Sequence, residues 1–143
     1  MKPTIAIFSF LLLFSLGLSA QTPADKILGT WANEEGTSHL KIYQNGNRYH
    51  AKIVWLAEPN DRQGHAKKDV NNPNSSLRNR PVLGLDVITG LRYEEGRWVS
   101  GTLYAPRKGK TVNCNVYLKA DGSIKLKVWK SMYSNTQTLT RVG

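Results

Sequence analysis

Past an apolar start, the chain alternates apolar and polar residues with a period of two, in short runs separated by turn signals. Residues 39–43 set Leu40 and Ile42 on one face, and Asn45-Gly46 then supplies the dipeptide that accepts the left-handed backbone of a tight hairpin. In 49–56, alternation places Ala51, Ile53 and Trp55 on one side and Val54 and Leu56 on the other. Residues 97–105 form a further run, entered through Glu95-Gly96 and left at Pro106. In 111–119, Val112, Cys114, Val116 and Leu118 face one way, and Thr111, Asn113, Asn115, Tyr117 and Lys119 the other. Asp121-Gly122 turns the chain, 123–130 opposes Ile124, Leu126 and Val128 to Lys125, Lys127 and Trp129, and 136–142 is a last strand. After the apolar start no long helical period is present; 25–28 suggests a single helical turn.

Short strands joined by hairpin turns predict an antiparallel sandwich or barrel. Thr, Asn and Tyr recur on both faces, which a closed barrel tolerates better than a sandwich if its interior holds water or a ligand. The expected fold is therefore all-β: a single antiparallel up-and-down barrel of about eight strands with one long polar loop. Gly29-Thr30-Trp31 opens the first strand and Arg141 lies in the last. Closing a barrel pairs these strands, so the guanidinium can stack on the indole; Gly29, Trp31 and Arg141 are the expected closure residues. A Gly-x-Trp near the start with an arginine at the end resembles the lipocalin and fatty-acid-binding superfamily.

The first twenty residues change the picture. Lys2, an apolar run from Ile5 to Leu18, and small residues at Ser19-Ala20 form the pattern of a secretory signal peptide cut after Ala20. The run is short for a membrane span, and no transmembrane segment is expected in the mature chain. The expected organisation is a signal peptide over 1–20 and one domain over 21–143, in a periplasmic or secreted protein. N-terminal sequencing of protein from its native host checks this, and Met1 on the mature form would refute it. Cys114 is the single cysteine, so no intrachain disulfide can form and the domain must hold itself together by burial. Residues 21–143 carry a formal net charge of +9. A strongly basic exported protein meets anionic partners, such as an envelope surface or a small anionic molecule. The cations are scattered, with no block of five, so no nucleic-acid partner is expected.

The segment from Glu58 to Arg80 is too long for an ordinary hairpin loop and too polar for core. Asn72-Pro73 initiates a turn, and Pro81 biases Arg80 towards extended backbone. An extended Arg78–Arg80 would project both guanidinium groups to one side, about 7 Å apart, a spacing suited to a carboxylate, phosphate or sulfate. Asp69 pairing with one arginine to fix the loop is the competing reading, and charge balance favours unequal roles for the two. Asp69, Asn72, Arg78, Arg80 and Tyr104 are the candidate ligand-binding residues at the barrel entrance.

The stretches "WANEEGTSHLKIYQNGNRYHAKIVWLAEP", "DVNNPNSSLRNRPVLGL", "GTLYAPRKGKTVN" and "TQTLTRV" resemble, in order, small exported bacterial proteins grouped as domain of unknown function 2147. The resemblance covers residues 28–143 and implies a lipocalin-like barrel; it implies no activity, catalytic residue or cofactor. Leu139 departs from that pattern, which has tryptophan there.

Catalytic constellations are not found. Cys114 lies on an apolar face, and His39, His50 and His65 form neither HxH nor HExxH. No metal, cofactor or enzymatic activity is expected; a hydrolase with Asp69 as base would lack partners for it. The expected function is non-enzymatic binding of a small anionic or amphipathic ligand. The alternative is an envelope-associated interaction module with a filled barrel. A cavity discriminates between them.

Overall fold

The computed structural model describes residues 2–4 and 22–143. Nearly all of the expected signal peptide, and its cut site, lie outside the described residues. Eight strands follow one another: β1 (Gly29–Asn33), β2 (Ser38–Asn45), β3 (Arg48–Leu56), β4 (Asp86–Glu94), β5 (Arg97–Ala105), β6 (Lys110–Leu118), β7 (Ile124–Lys130) and β8 (Tyr133–Arg141). Each pairs antiparallel with the next, and β8 returns to β1, closing the barrel in sequence order. Interior positions are apolar while outer positions carry Lys, Thr and Asn, the reverse of a barrel that spans lipid. Among the described residues no helix is long and apolar enough to cross a membrane.

Alternation holds along β6 and β7: Cys114, Val116, Ile124, Leu126 and Val128 are all buried. It breaks in β3. Pairing with β2 steps from His39↔Trp55 to Leu40↔Ile53, so Val54 is an extra residue and forms a bulge. The expectation that Trp55 shares the face of Ala51 and Ile53 is corrected here. Beyond the bulge the phase reverses; Trp55 is 43% exposed and stacks on His39 with ring centroids 4.4 Å apart.

The barrel has one packed half. A 3₁₀ turn, Pro23–Ile27, precedes β1 and plugs the end where β1 begins and β8 finishes. The indole N–H of Trp31 donates to the Ile27 carbonyl at 2.9 Å, and that of Trp98 to the Ala24 carbonyl at 3.0 Å. The Tyr49 hydroxyl donates to Asp25 at 2.7 Å. Trp31 and Arg141 are register partners, and the guanidinium lies 4.2 Å from the indole centroid. Its nitrogens also donate to the carbonyls of Lys26 and Leu28, at 2.8 and 2.9 Å. Gly29 is required here: its φ is +126°, and a Cβ would sit 2.8 Å from an Arg141 nitrogen. Leu139, where the family pattern has tryptophan, is buried in this core on β8.

Candidate functional site

An up-and-down meander puts alternate connections at the same end. The β1–β2, β3–β4, β5–β6 and β7–β8 connections therefore meet at the end opposite the plug. There the strands surround a cavity of about 1280 Å³. Its floor and walls include Ile53, Leu56, Val82, Leu103, Val112 and Val128. Its rim carries Lys67, Lys68, Arg107, Lys108, Lys110 and Lys130 against Glu35, Glu58 and Asp61. Two of the acids are partly engaged. Lys67 lies 3.8 Å from Glu58, and Asp61 accepts the backbone N–H groups of His65 and Gln63, each at 2.9 Å. The His65 amide is the main reason the Asp61 carboxyl is held below its ordinary range. An apolar interior under a net cationic rim can take an amphipathic anion, apolar part inward and charge at the mouth.

The long β3–β4 connection folds over this end without regular strands. Small bridges, Asn60↔Ala66 and Lys68↔Pro81, brace it, and its return leg bonds to β3 through Gly84 N–H to Ile53 O at 2.7 Å. Its anchor is Asp69, fully buried. The Asp69 carboxylate accepts from the Tyr104 hydroxyl at 2.5 Å, the Asn72 amide at 2.8 Å and Arg80 at 2.9 Å. Burial opposes ionisation of Asp69. The three hydrogen bonds and the charge of Arg80 outweigh it and hold the carboxyl below its ordinary range. Tyr104 is pushed up to about 12 by burial and by Asp69. A second fastening joins the loop to the β5–β6 turn, where the Asn71 side chain donates to the Arg107 carbonyl at 2.9 Å. Gly109 makes that approach possible: its φ is +62°, and a Cβ would lie 1.8 Å from the Asn71 carbonyl oxygen.

The extended Arg78–Arg80 expectation is corrected. Ser75–Leu77 is a 3₁₀ turn with the Asn74 side chain capping it, and Arg78 is helical (φ −69°, ψ −18°). The two arginines take different partners within the loop. Arg80 goes to Asp69, and Arg78 Nε donates to the Asn72 carbonyl at 2.7 Å. The structure thus brings Asp69, Asn72, Arg80 and Tyr104 into one cluster, with Arg78 beside it. None of the five lines the cavity. Their neighbours Lys67, Lys68, Val70 and Asn71 do, so the anchor sets where these side chains stand. The cations of the other mouth turns, Arg107, Lys108, Lys110 and Lys130, were not among the candidate binding residues, although three of them lie in "GTLYAPRKGKTVN". Their signal was the meander itself, because a barrel of hairpins puts "PRKGK" and the turn after Lys130 at the same end.

Cys114 is buried in the packed half, and desolvation pushes its thiol up to about 12, so it has no thiolate character.

A closed eight-strand meander, plugged at one end and open at the other, is a lipocalin-like barrel. The chain belongs to a family described as uncharacterised proteins conserved in bacteria (DUF2147), whose model matches residues 29–141. Among solved structures it is similar to HP1028 from the human pathogen Helicobacter pylori, a protein of the lipocalin family. The TM-score is 0.71 at 22% identity, covering 81% of this chain and 82% of that one, a likeness of fold. No curated protein matches in sequence.

Proposed function

We propose that the protein is a non-enzymatic carrier that holds a small amphipathic anion in the open half of its barrel. The observation that carries this reading is the cavity: apolar residues line its interior, and six cations against three acids stand at its rim. A carboxylate, sulfate or phosphate head would remain beside Lys108, Lys110 and Lys130, and an apolar body would displace poorly held water from around Leu103 and Val112. A lipocalin-like fold is consistent with small-molecule binding. The alternative of a filled interaction module draws support from the plugged half alone.

Protein purified gently, without detergent, and analysed by native mass spectrometry is expected to carry a co-purified small anion. Loss of that mass on denaturing organic extraction, with recovery of an amphipathic acid in the extract, supports the reading. Protein that is uniformly unliganded, and that also takes up no long-chain carboxylate, sulfate or phosphate added in excess, refutes it.

A further inference from the structure

Charge is unevenly distributed along this barrel. Residues 22–95 carry ten Lys or Arg and nine acids, whereas from Gly96 onward there are nine Lys or Arg and one acid, Asp121. Asp121 lies in the β6–β7 turn, at the plugged end. The two mouth hairpins of the second half, β5–β6 and β7–β8, therefore present Arg107, Lys108, Lys110 and Lys130 with no acid of their own.

Apolar side chains project from the same end. Met132, at the tip of the β7–β8 hairpin, is 100% exposed, and its neighbour Tyr133, on the cavity rim, is 52% exposed. Across the mouth, Val70 on the loop is 64% exposed. Single exposed apolar residues are ordinary. Three at one opening, among cations, are a different arrangement. Met132 contributes no burial to the fold, and a flexible thioether suits a surface with no fixed shape. Cations for headgroups with apolar tips for the acyl boundary are the two components of interfacial lipid binding.

We propose that this mouth docks on an anionic lipid bilayer, with Met132 and Tyr133 entering the interface and Arg107, Lys108, Lys110 and Lys130 meeting the headgroups. Docked this way, the cavity opens towards lipid, and an amphipathic molecule can pass between bilayer and barrel without crossing bulk water. The docking does not depend on the cargo proposed above; it holds or fails whether or not the cavity is filled.

The test is flotation of the full mature protein with vesicles of phosphatidylcholine alone, or of phosphatidylcholine with phosphatidylglycerol. Binding is expected to the phosphatidylglycerol vesicles and not to the neutral ones, and to weaken between about 0.1 M and 0.5 M salt. Met132→Asp is expected to lower vesicle partitioning roughly fivefold or more while leaving the thermal transition unchanged, because its side chain is fully exposed. Lys108→Glu with Lys110→Glu is expected to lower it further, about fivefold for each charge lost. Lys119→Glu with Lys127→Glu, an equal charge change away from the mouth, should leave most binding intact. Three results would overturn the proposal: no preference for anionic vesicles, wild-type partitioning by Met132→Asp, or equal losses from the two lysine pairs. The last would mean that net charge alone adsorbs the protein to the bilayer.

Discussion

Where β1 begins, two indole N–H groups, a tyrosine hydroxyl and a guanidinium all engage one 3₁₀ turn, and Trp31, Trp98, Ile124 and Leu139 are almost wholly out of water. Where β1 ends, the same eight strands stop around open space, and the bonding is spread through the connections, with Asp69 the buried anchor of the longest. The plugged end has an open depression of about 400 Å³ beside Asp121 and Arg141. The contrast separates two tasks. A domain without disulfides needs a continuous buried core, and the plugged half supplies it. The open half gives up packing density, and the polar groups that would otherwise make its long connection mobile are gathered on Asp69.

The comparison implies an unequal response to truncation. Trp31→Ala should cost about 3–5 kcal/mol in urea unfolding, because it removes a fully buried aromatic and leaves the Ile27 carbonyl without its donor. Arg141→Ala should cost less, about 1–3 kcal/mol, since its bonds are made in an exposed position. The two should couple by about 0.5–1 kcal/mol in a double-mutant cycle. Simple additivity would show that the stacking seen at 4.2 Å contributes nothing.

Asp69 is the corresponding test at the mouth. Asp69→Ala strands the Tyr104 hydroxyl and the Arg80 guanidinium, whose Nε is already buried without a hydrogen-bond partner among the described residues. A loss of about 2–4 kcal/mol is expected, and it should be local. Amide exchange should accelerate across 67–82 while the β6–β7 amides keep most of their protection. The anchor also sets a pH window. With its folded value below the ordinary carboxylate value, Asp69 stabilises the loop fully above about pH 4, and this is lost as pH falls through the depressed value. Tyr104, raised to about 12, acts in the opposite direction: its contribution is complete below about pH 10 and is lost as pH rises towards 12. Protection in 67–82, corrected for the intrinsic pH dependence of amide exchange, that stays unchanged as pH falls through the carboxylate range would remove Asp69 from the anchor.

The two halves were not equally legible in the sequence. Strand alternation in β6 and β7 is a direct consequence of burial on one face, so those residues declared their side of the barrel. Gly29, Trp31 and Arg141 could be placed together because closure of a meander forces first and last strands to pair. The Val54 bulge could not be read, since an inserted residue leaves no compositional mark and reverses every side chain beyond it. The loop was legible as a place and not as a shape. "DVNNPNSSLRNRP" announces turns, but Pro81 restricts only Arg80, and the Asn74-capped 3₁₀ turn Ser75–Leu77 leaves Arg78 helical where extended backbone was expected. Nothing in a sequence says which face of a loop will meet a cavity.

The smallest expected change in stability sharpens the contrast most. Leu103 sits on the cavity wall opposite Val112 in register, half-buried and with open space before it. Leu103→Trp adds volume where a packed core would be strained, but here the ring has room, so unfolding should shift by no more than about 1 kcal/mol. Uptake of anilinonaphthalene sulfonate, an apolar body with an anionic head, should nevertheless weaken by roughly tenfold or more, because the indole takes the space of the apolar body. The same enlargement in the packed half, Val116→Trp, should do the reverse, with severe destabilisation and no selective effect on the probe in whatever folds. If Leu103→Trp unfolds, Val112→Phe from the facing strand tests the same space. Wild-type probe affinity in a folded Leu103→Trp protein would mean that the probe sits on the basic rim and leaves the interior empty, and the open half would then be no binding site for the body of a ligand.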